Sequence, residues 1–196
     1  MTVIRQDDLI DSVADALQFI SYYHPVDFVQ AVHQAYEREQ NPAARDAMAQ
    51  ILINSRMCAL GHRPICQDTG IVTVFLKVGM NVTWDATMSV TDMVNEGVRR
   101  AYTHPDNVLR ASILEDPAGA RKNTRDNTPA VIHYEIVEGD TVDVQVAAKG
   151  GGSENKSKLV MLNPSDSIVD WVVKTVPTMG AGWCPPGMLG IGIGGT

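Results

Sequence analysis

A chain of 196 residues with 44% hydrophobic and 20% charged residues has enough apolar mass for one ordinary folded domain, or a domain with a small appendage. Its formal net charge of −7 argues against a nucleic-acid partner, because phosphate binding needs a basic face. A small anionic substrate remains compatible with that balance, since a few arginines can dominate one pocket.

No apolar run approaches the roughly 18 residues needed to span a bilayer. The N-terminus, from Met1 to Asp8, has no apolar signal segment. Three cysteines, an odd count, then read as free or metal-bound thiols in a reducing cytoplasm.

In chain order, the first sixty residues carry helical periodicity. Leu9, Ile10, Val13, Leu17 and Ile20 define a first helix. Pro25, at a first-turn position, opens a second bearing Phe28, Val29, Val32 and Tyr36. Asn41-Pro42 starts a third, with Gly61 as its expected C-cap. The β-branched run Ile71–Val78 reads as a strand. Ser89 caps a helix carrying Val90, Met93, Val94, Val98, Ala101 and Tyr102. Residues 104–129 read as loop. Two strand-like runs, 130–137 and 141–148, flank Glu138-Gly139-Asp140, which reads as a hairpin turn. Ser165 is the expected cap of a last helix with Ile168, Val169, Val172, Val173 and Val176. The alternating run from Gly187 to Thr196 is strand-like and has no polar tail, so the chain reads as the N-terminal part of something longer. These elements define an α+β fold: a helical part over 1–62, then a sheet-containing part over 63–196 with cofactor loops.

Four features carry chemistry. Pro64-Ile65-Cys66-Gln67-Asp68-Thr69-Gly70 sets a soft thiolate beside a carboxamide and a carboxylate. Cys184 lies in a second Pro/Gly-framed loop, Gly182-Trp183-Cys184-Pro185-Pro186-Gly187. Buried core cysteines are the competing reading for both. Cys58 reads as a core cysteine: Gly61 and Pro64 break any helix that would align it with His62 and Cys66. The Gly150-Gly151-Gly152 stretch fits neither a P-loop nor a dinucleotide fingerprint. It is either a flexible turn or a backbone nest for a carboxylate, with Asn155 and Lys156 adding donors. Arg110 is either a solvated surface charge or a bidentate carboxylate partner.

Taken together, Pro-Ile-Cys-Gln-Asp-Thr-Gly, Asn-Val-Leu-Arg, Lys-Gly-Gly-Gly-Ser-Glu-Asn-Lys and Cys-Pro-Pro-Gly with the closing Ile-Gly-Gly-Thr resemble the iron–sulfur hydro-lyases. These are the class I fumarases and the α subunits of two-subunit fumarases and L-tartrate dehydratases. The resemblance implies a 4Fe–4S cluster held by three cysteines, with the fourth iron open to substrate as a Lewis acid. Cys66 and Cys184 match two of those ligands. The family's third lies further along than residue 196, so this chain by itself is expected to be inactive. The implied reaction is reversible hydration of fumarate to (S)-malate, with dehydration of L-tartrate as the alternative. The resemblance further implies that Arg110 neutralises a substrate carboxylate, that Gln67 and Asp68 orient substrate and its hydroxyl, and that Gly150, Gly151 and Gly152 line the carboxylate site. It places the proton-abstracting threonine outside these 196 residues. Implied partners are a dicarboxylate substrate, a C-terminal domain or β subunit, and a second copy in a homodimer. From a different class, the alternative is a cluster-free structural or regulatory subunit.

Overall fold

The structure is a computed structural model describing residues 2–184 and 187–194. The chain divides between Gly150 and Gly151 into two compact units. Secondary structure alone puts a division at residue 62, but the first helix is part of the same core as the sheet.

In the first unit, strand β1 (Val3–Arg5) leads directly into helix α1 (Gln6–Tyr22). Helices α2 (Val26–Arg38) and α3 (Pro42–Gly61) follow and pack on each other. Asn41 caps α3 by accepting from the amides of Ala43 and Ala44, with Pro42 in the first turn where no amide is needed. At the start of α2, Pro25 stands one place outside the helix, as its N-cap. The far end of α3 also differs from expectation. Gly61 stays in the helix, and His62 takes the left-handed cap conformation (φ 46°) with its ring stacked on Tyr22 at 5.0 Å.

Strand β2 (Ile71–Gly79) is the centre of the fold. After it come the short strand β3 (Thr83–Asp85), parallel to β1, and helix α4 (Val90–Tyr102). The Ser89 hydroxyl caps α4 by accepting from the Asp92 amide. Two-residue strands β4 (Leu114–Glu115) and β5 (Lys122–Asn123) pair inside the stretch expected to be loop. Strands β6 (Val131–Val137) and β7 (Val142–Lys149) complete the unit.

The expected β6–β7 hairpin is not formed. Sheet order is β6-β2-β7, with β6 parallel and β7 antiparallel to β2. The two strands are antiparallel to each other but stand two strand spacings apart, roughly 10 Å, split by β2. Residues 138–141 cross the end of β2, bound by Gly79 N–H to the Thr141 carbonyl and Asn81 N–H to the Gly139 carbonyl, each at 2.9 Å. A Cβ on Gly79 would lie 2.6 Å from the Gly139 oxygen, so the crossing needs glycine there.

One face of β2 carries the buried Val72, Val74 and Leu76. Against it pack Leu9, Ile10, Val13 and Leu17 of α1 and Met93, Val94, Val98, Ala101 and Tyr102 of α4. The period-2 and helical spacings of these residues meet in a single core. Helices α1 and α4 cross closely at Gly97, where a Cβ would come within 2.7 Å of the Ile10 carbonyl oxygen.

The second unit contains helices α5 (Gly151–Asn155) and α6 (Ile168–Thr175), followed by 3-10 turns at Val176–Met179 and Ala181–Trp183. Ser167 caps α6, two places after the serine expected from sequence. No residue of these helices and turns is fully buried. Residues 187–194 form no strand; Thr196 lies outside the described residues. Among the described residues no helix is long and apolar enough to cross a membrane.

Candidate functional site

The turn between α3 and β2 is fixed from both ends. The Ile65 amide donates to the Ser21 carbonyl of α1 (2.8 Å), and its carbonyl accepts from Asn54 Nδ2 of α3 (3.1 Å). Cys66 follows, free and exposed. Its thiol donates to Gln67 Oε1 (3.3 Å), and its sulfur accepts from the Asp68 amide (3.4 Å).

Beyond Asp68 the chain dives inward. Thr69 is buried. Its hydroxyl donates to the backbone carbonyl of Arg110, and its own carbonyl accepts from the Tyr102 hydroxyl (2.7 Å). The Gly70 carbonyl accepts from Asn127 Nδ2 (3.0 Å), while Asn127 Oδ1 accepts from the Ser112 amide (2.7 Å). Gly70 has φ 83°, and a Cβ there would lie 2.6 Å from the Lys149 backbone nitrogen. Only glycine fits both demands. Burial foremost, with the Asp68 charge adding, pushes the Tyr102 phenol up to about 12, against smaller lowering by its bonds with Thr69 and Asn127. The phenol therefore stays a proton donor at neutral pH.

Asp68 is half-buried. A Cβ on Gly150 would stand 2.9 Å from its Oδ2, so the end of β7 passes directly beside the carboxylate. Gln67 and Arg110 are exposed. The tie between the Cys66 turn and Arg110 runs through the backbone of Arg110, leaving its guanidinium open to solvent.

The second unit holds the other sequence-predicted residues. Gly151 and Gly152, expected in an open loop, form the first turn of α5. Cys184 is exposed and left-handed (φ 64°), and its amide donates to the Ala181 carbonyl (3.2 Å). A Cβ on Gly152 would lie 3.1 Å from the Gly182 oxygen and 3.8 Å from Cys184 Sγ. Ser153 Oγ donates to the Trp183 carbonyl (3.2 Å). Close approach of two backbones thus needs a small residue at 152. Pro185 and Pro186 of the motif lie outside the described residues.

Cys66, Gln67, Asp68, Arg110 and Gly150 therefore share one unit, and Gly151, Gly152 and Cys184 the other. Cys58 is a different kind of cysteine. It is buried in α3, with Asn54 Oδ1 and the Pro64 carbonyl each 3.6 Å from its sulfur. Among the described residues no three His, Cys, Asp or Glu side chains gather to hold a metal ion. The donor chemistry of Cys66 and Cys184, two exposed cysteines in turns outside any disulfide, fits thiolate ligation of an iron–sulfur cluster, whereas Cys58 is buried in α3 and has no such access. Sequence patterning singled out the exposed residues of the Cys66 turn but missed Thr69, Tyr102 and Asn127, which hold it in place. Thr69 lies inside the Pro64–Gly70 motif and Tyr102 on a helix read from sequence, but no local signal gives them or Asn127 this role; their long-range partners define it.

Comparison with known proteins gives a consistent answer. The model of the fumarate hydratase (fumerase) family matches residues 10–196. A protein of Methanocaldococcus jannaschii, provisionally named L(+)-tartrate dehydratase subunit alpha, is 34% identical over 193 residues, covering 95% of this chain and 67% of that protein. The L(+)-tartrate dehydratase subunit alpha of Escherichia coli K12 is 26% identical over 188 residues, covering 94% of this chain and 61% of its own length. The anaerobic class I fumarate hydratase of the same strain is 34% identical over 152 residues, 75% of this chain and 27% of that enzyme. The chain spans about two thirds or less of the length of these curated relatives. With nearly its whole length matched by one family model, this chain belongs to the fumarate hydratase (fumerase) family.

Proposed function

We propose that this chain forms part of the active site of a fumarate hydratase, catalysing reversible hydration of fumarate to (S)-malate. The observation that carries the reading is the Cys66–Asp68 turn: an exposed thiol, a carboxamide and a carboxylate on a backbone tied to the segment bearing Arg110. Cys66 and Cys184 are the two proposed ligands of a 4Fe–4S cluster, with a third supplied by polypeptide outside these 196 residues. When bound, such a cluster supplies a Lewis-acidic iron for a substrate carboxylate and hydroxyl.

The chain's own groups do the positioning. Arg110 presents a guanidinium fork that matches a carboxylate bidentately and offsets the charge that builds on it when the neighbouring carbon loses its proton. Asp68 accepts a hydrogen bond from the substrate hydroxyl through a carboxylate oxygen, and the Gln67 carboxamide offers a donor beside it. Gly150, with no side chain, lets its backbone lie beside Asp68 without displacing the carboxylate, and Gly150, Gly151 and Gly152 are the glycines this reading assigns to the substrate carboxylate. The base that takes the proton is assigned to the remaining polypeptide, a C-terminal domain or β subunit, and the assembly is read as a homodimer.

Dehydration of L-tartrate is the second reading. It is favoured by the relatives named tartrate dehydratase alpha subunits, which align over 94–95% of the chain, against 75% for the class I fumarase. Anaerobic assays of the complete protein with fumarate, (S)-malate and L-tartrate separate the two. Turnover of fumarate and malate with none of tartrate supports the first; the reverse replaces it with the second. No turnover of any of them, with no cluster retained, favours a structural or regulatory subunit.

A further inference from the structure

Three polar side chains converge behind the Cys66 turn, all on its inner side. Asn127 is fully buried, with no exposed surface, and sits in the left-handed region at φ 62°. Its carboxamide spans two segments far apart in sequence: Nδ2 donates to the Gly70 carbonyl, and Oδ1 accepts from the Ser112 amide. Thr69, also buried, bonds the backbone of Arg110 through its hydroxyl. Tyr102, anchored in α4 and 1% exposed, donates to the Thr69 carbonyl. The groups these three satisfy belong to the segment just after Cys66-Gln67-Asp68 and to the segment containing Arg110.

A buried amide such as Asn127 is costly unless its polar groups are matched, and here both ends are. The same core could be built with apolar residues. What the polar set adds is register: the turn cannot shift relative to the Arg110 segment without breaking bonds in a buried site. We propose that Thr69, Tyr102 and Asn127 are positioning residues, a clamp that fixes the Cys66–Asp68 turn and the Arg110 backbone as one unit. The proposal rests on the functional reading above for its catalytic meaning, while its geometric claim stands on the fold.

Hydrogen exchange on the full chain, with kinetics on the complete protein, tests the clamp. Thr69→Val removes the hydroxyl bond to Arg110, and Thr69→Ser restores it. Asn127→Asp keeps the acceptor for Ser112 but turns the donor facing the Gly70 carbonyl into a carboxyl oxygen at a fully buried position, so it is the harsher of the two variants. The clamp predicts that Thr69→Val and Asn127→Asp each speed amide exchange at both Asp68 and Ser112 by about tenfold or more, while amides of α1 and α4 keep their protection. Thr69→Ser should exchange like the parent. In the complete protein, Thr69→Val should lower kcat/KM by roughly 10- to 100-fold, mainly through KM, with Thr69→Ser again recovering. Faster exchange confined to the mutated segment, a uniform rise through α1 and α4, or a Thr69→Ser variant as loose as Thr69→Val would each overturn it. If the parent protein turns over no dicarboxylate, the functional reading fails, but the exchange data still decide whether the clamp exists.

Discussion

Gly150 passes so close to Asp68 that a methyl group on it would sit 2.9 Å from the carboxylate oxygen. The atom that would have to yield is the far end of a side chain, not backbone. Gly150→Ala is therefore expected to change stability by less than about 1 kcal/mol while turning the Asp68 carboxylate away. Since misplacement by an ångström is worth roughly 100-fold, kcat/KM of the complete protein should fall at least about tenfold with an almost unchanged Tm. Parent-like activity would remove Asp68 from the substrate's surroundings.

The crossing of α1 and α4 predicts the opposite balance. At Gly97 a Cβ would come within 2.7 Å of the Ile10 carbonyl oxygen and 2.8 Å of Val13 Cβ. Neither can rotate away. Alanine gains about 1 kcal/mol of helix propensity over glycine, but overpacking a tight contact costs roughly 1–3 kcal/mol and here also forces backbone to move. Gly97→Ala should be net destabilising, seen as a lower denaturant midpoint. An unchanged or higher midpoint would show that the helices separate freely.

Glu96 carries the clearest pH dependence. Its hydrogen bond from Arg99, the largest cause, together with a weaker one from Arg100, holds the carboxyl below its ordinary value of 4.5, although burial opposes them by more than the Arg100 bond alone contributes. Its partners Arg99 and Arg100 are 48% and 41% exposed, and solvent screening limits the cluster's worth to about 1 kcal/mol or less. Between the folded and unfolded values the unfolded chain binds more protons, so stability rises with pH there. The contribution is complete above pH 4.5 and is lost as pH falls through the lower, folded value. The stability difference between parent and Glu96→Gln should accordingly be present at pH 7 and shrink below pH 4.5. A difference that persists unchanged at the acid end would mean that charge is not its source.

The legible parts of this molecule were those whose signals are local. Leu9, Val13 and Leu17 repeat at helical spacing, Val72, Val74 and Leu76 alternate, and Asn41-Pro42 and Ser89 announce helix starts; each does so in the structure. Where partners are distant, local reading failed. Residues 130–148 look like a hairpin because Glu138-Gly139-Asp140 is good turn chemistry, yet the same turn here bridges the end of β2, which lies between the strands. Gly61 looks like a cap, but His62 stacks on Tyr22 and takes that conformation instead. The candidate site divides in the same way. Cys66, Gln67 and Asp68 stand out as a string of functional groups, whereas Asn127 is an unremarkable asparagine in a polar loop until the fold buries it.

The central claim is that Cys66 and Cys184 ligate a cluster and Cys58 does not. Anaerobic reconstitution of the complete protein with iron and sulfide, followed by iron analysis and the visible absorbance of the cluster, tests it directly. The account predicts a brown parent protein, a brown Cys58→Ser variant, and loss of most cluster absorbance in Cys66→Ser and in Cys184→Ser. Full absorbance and iron content in either of the last two, or a parent protein that takes up no cluster, would contradict it.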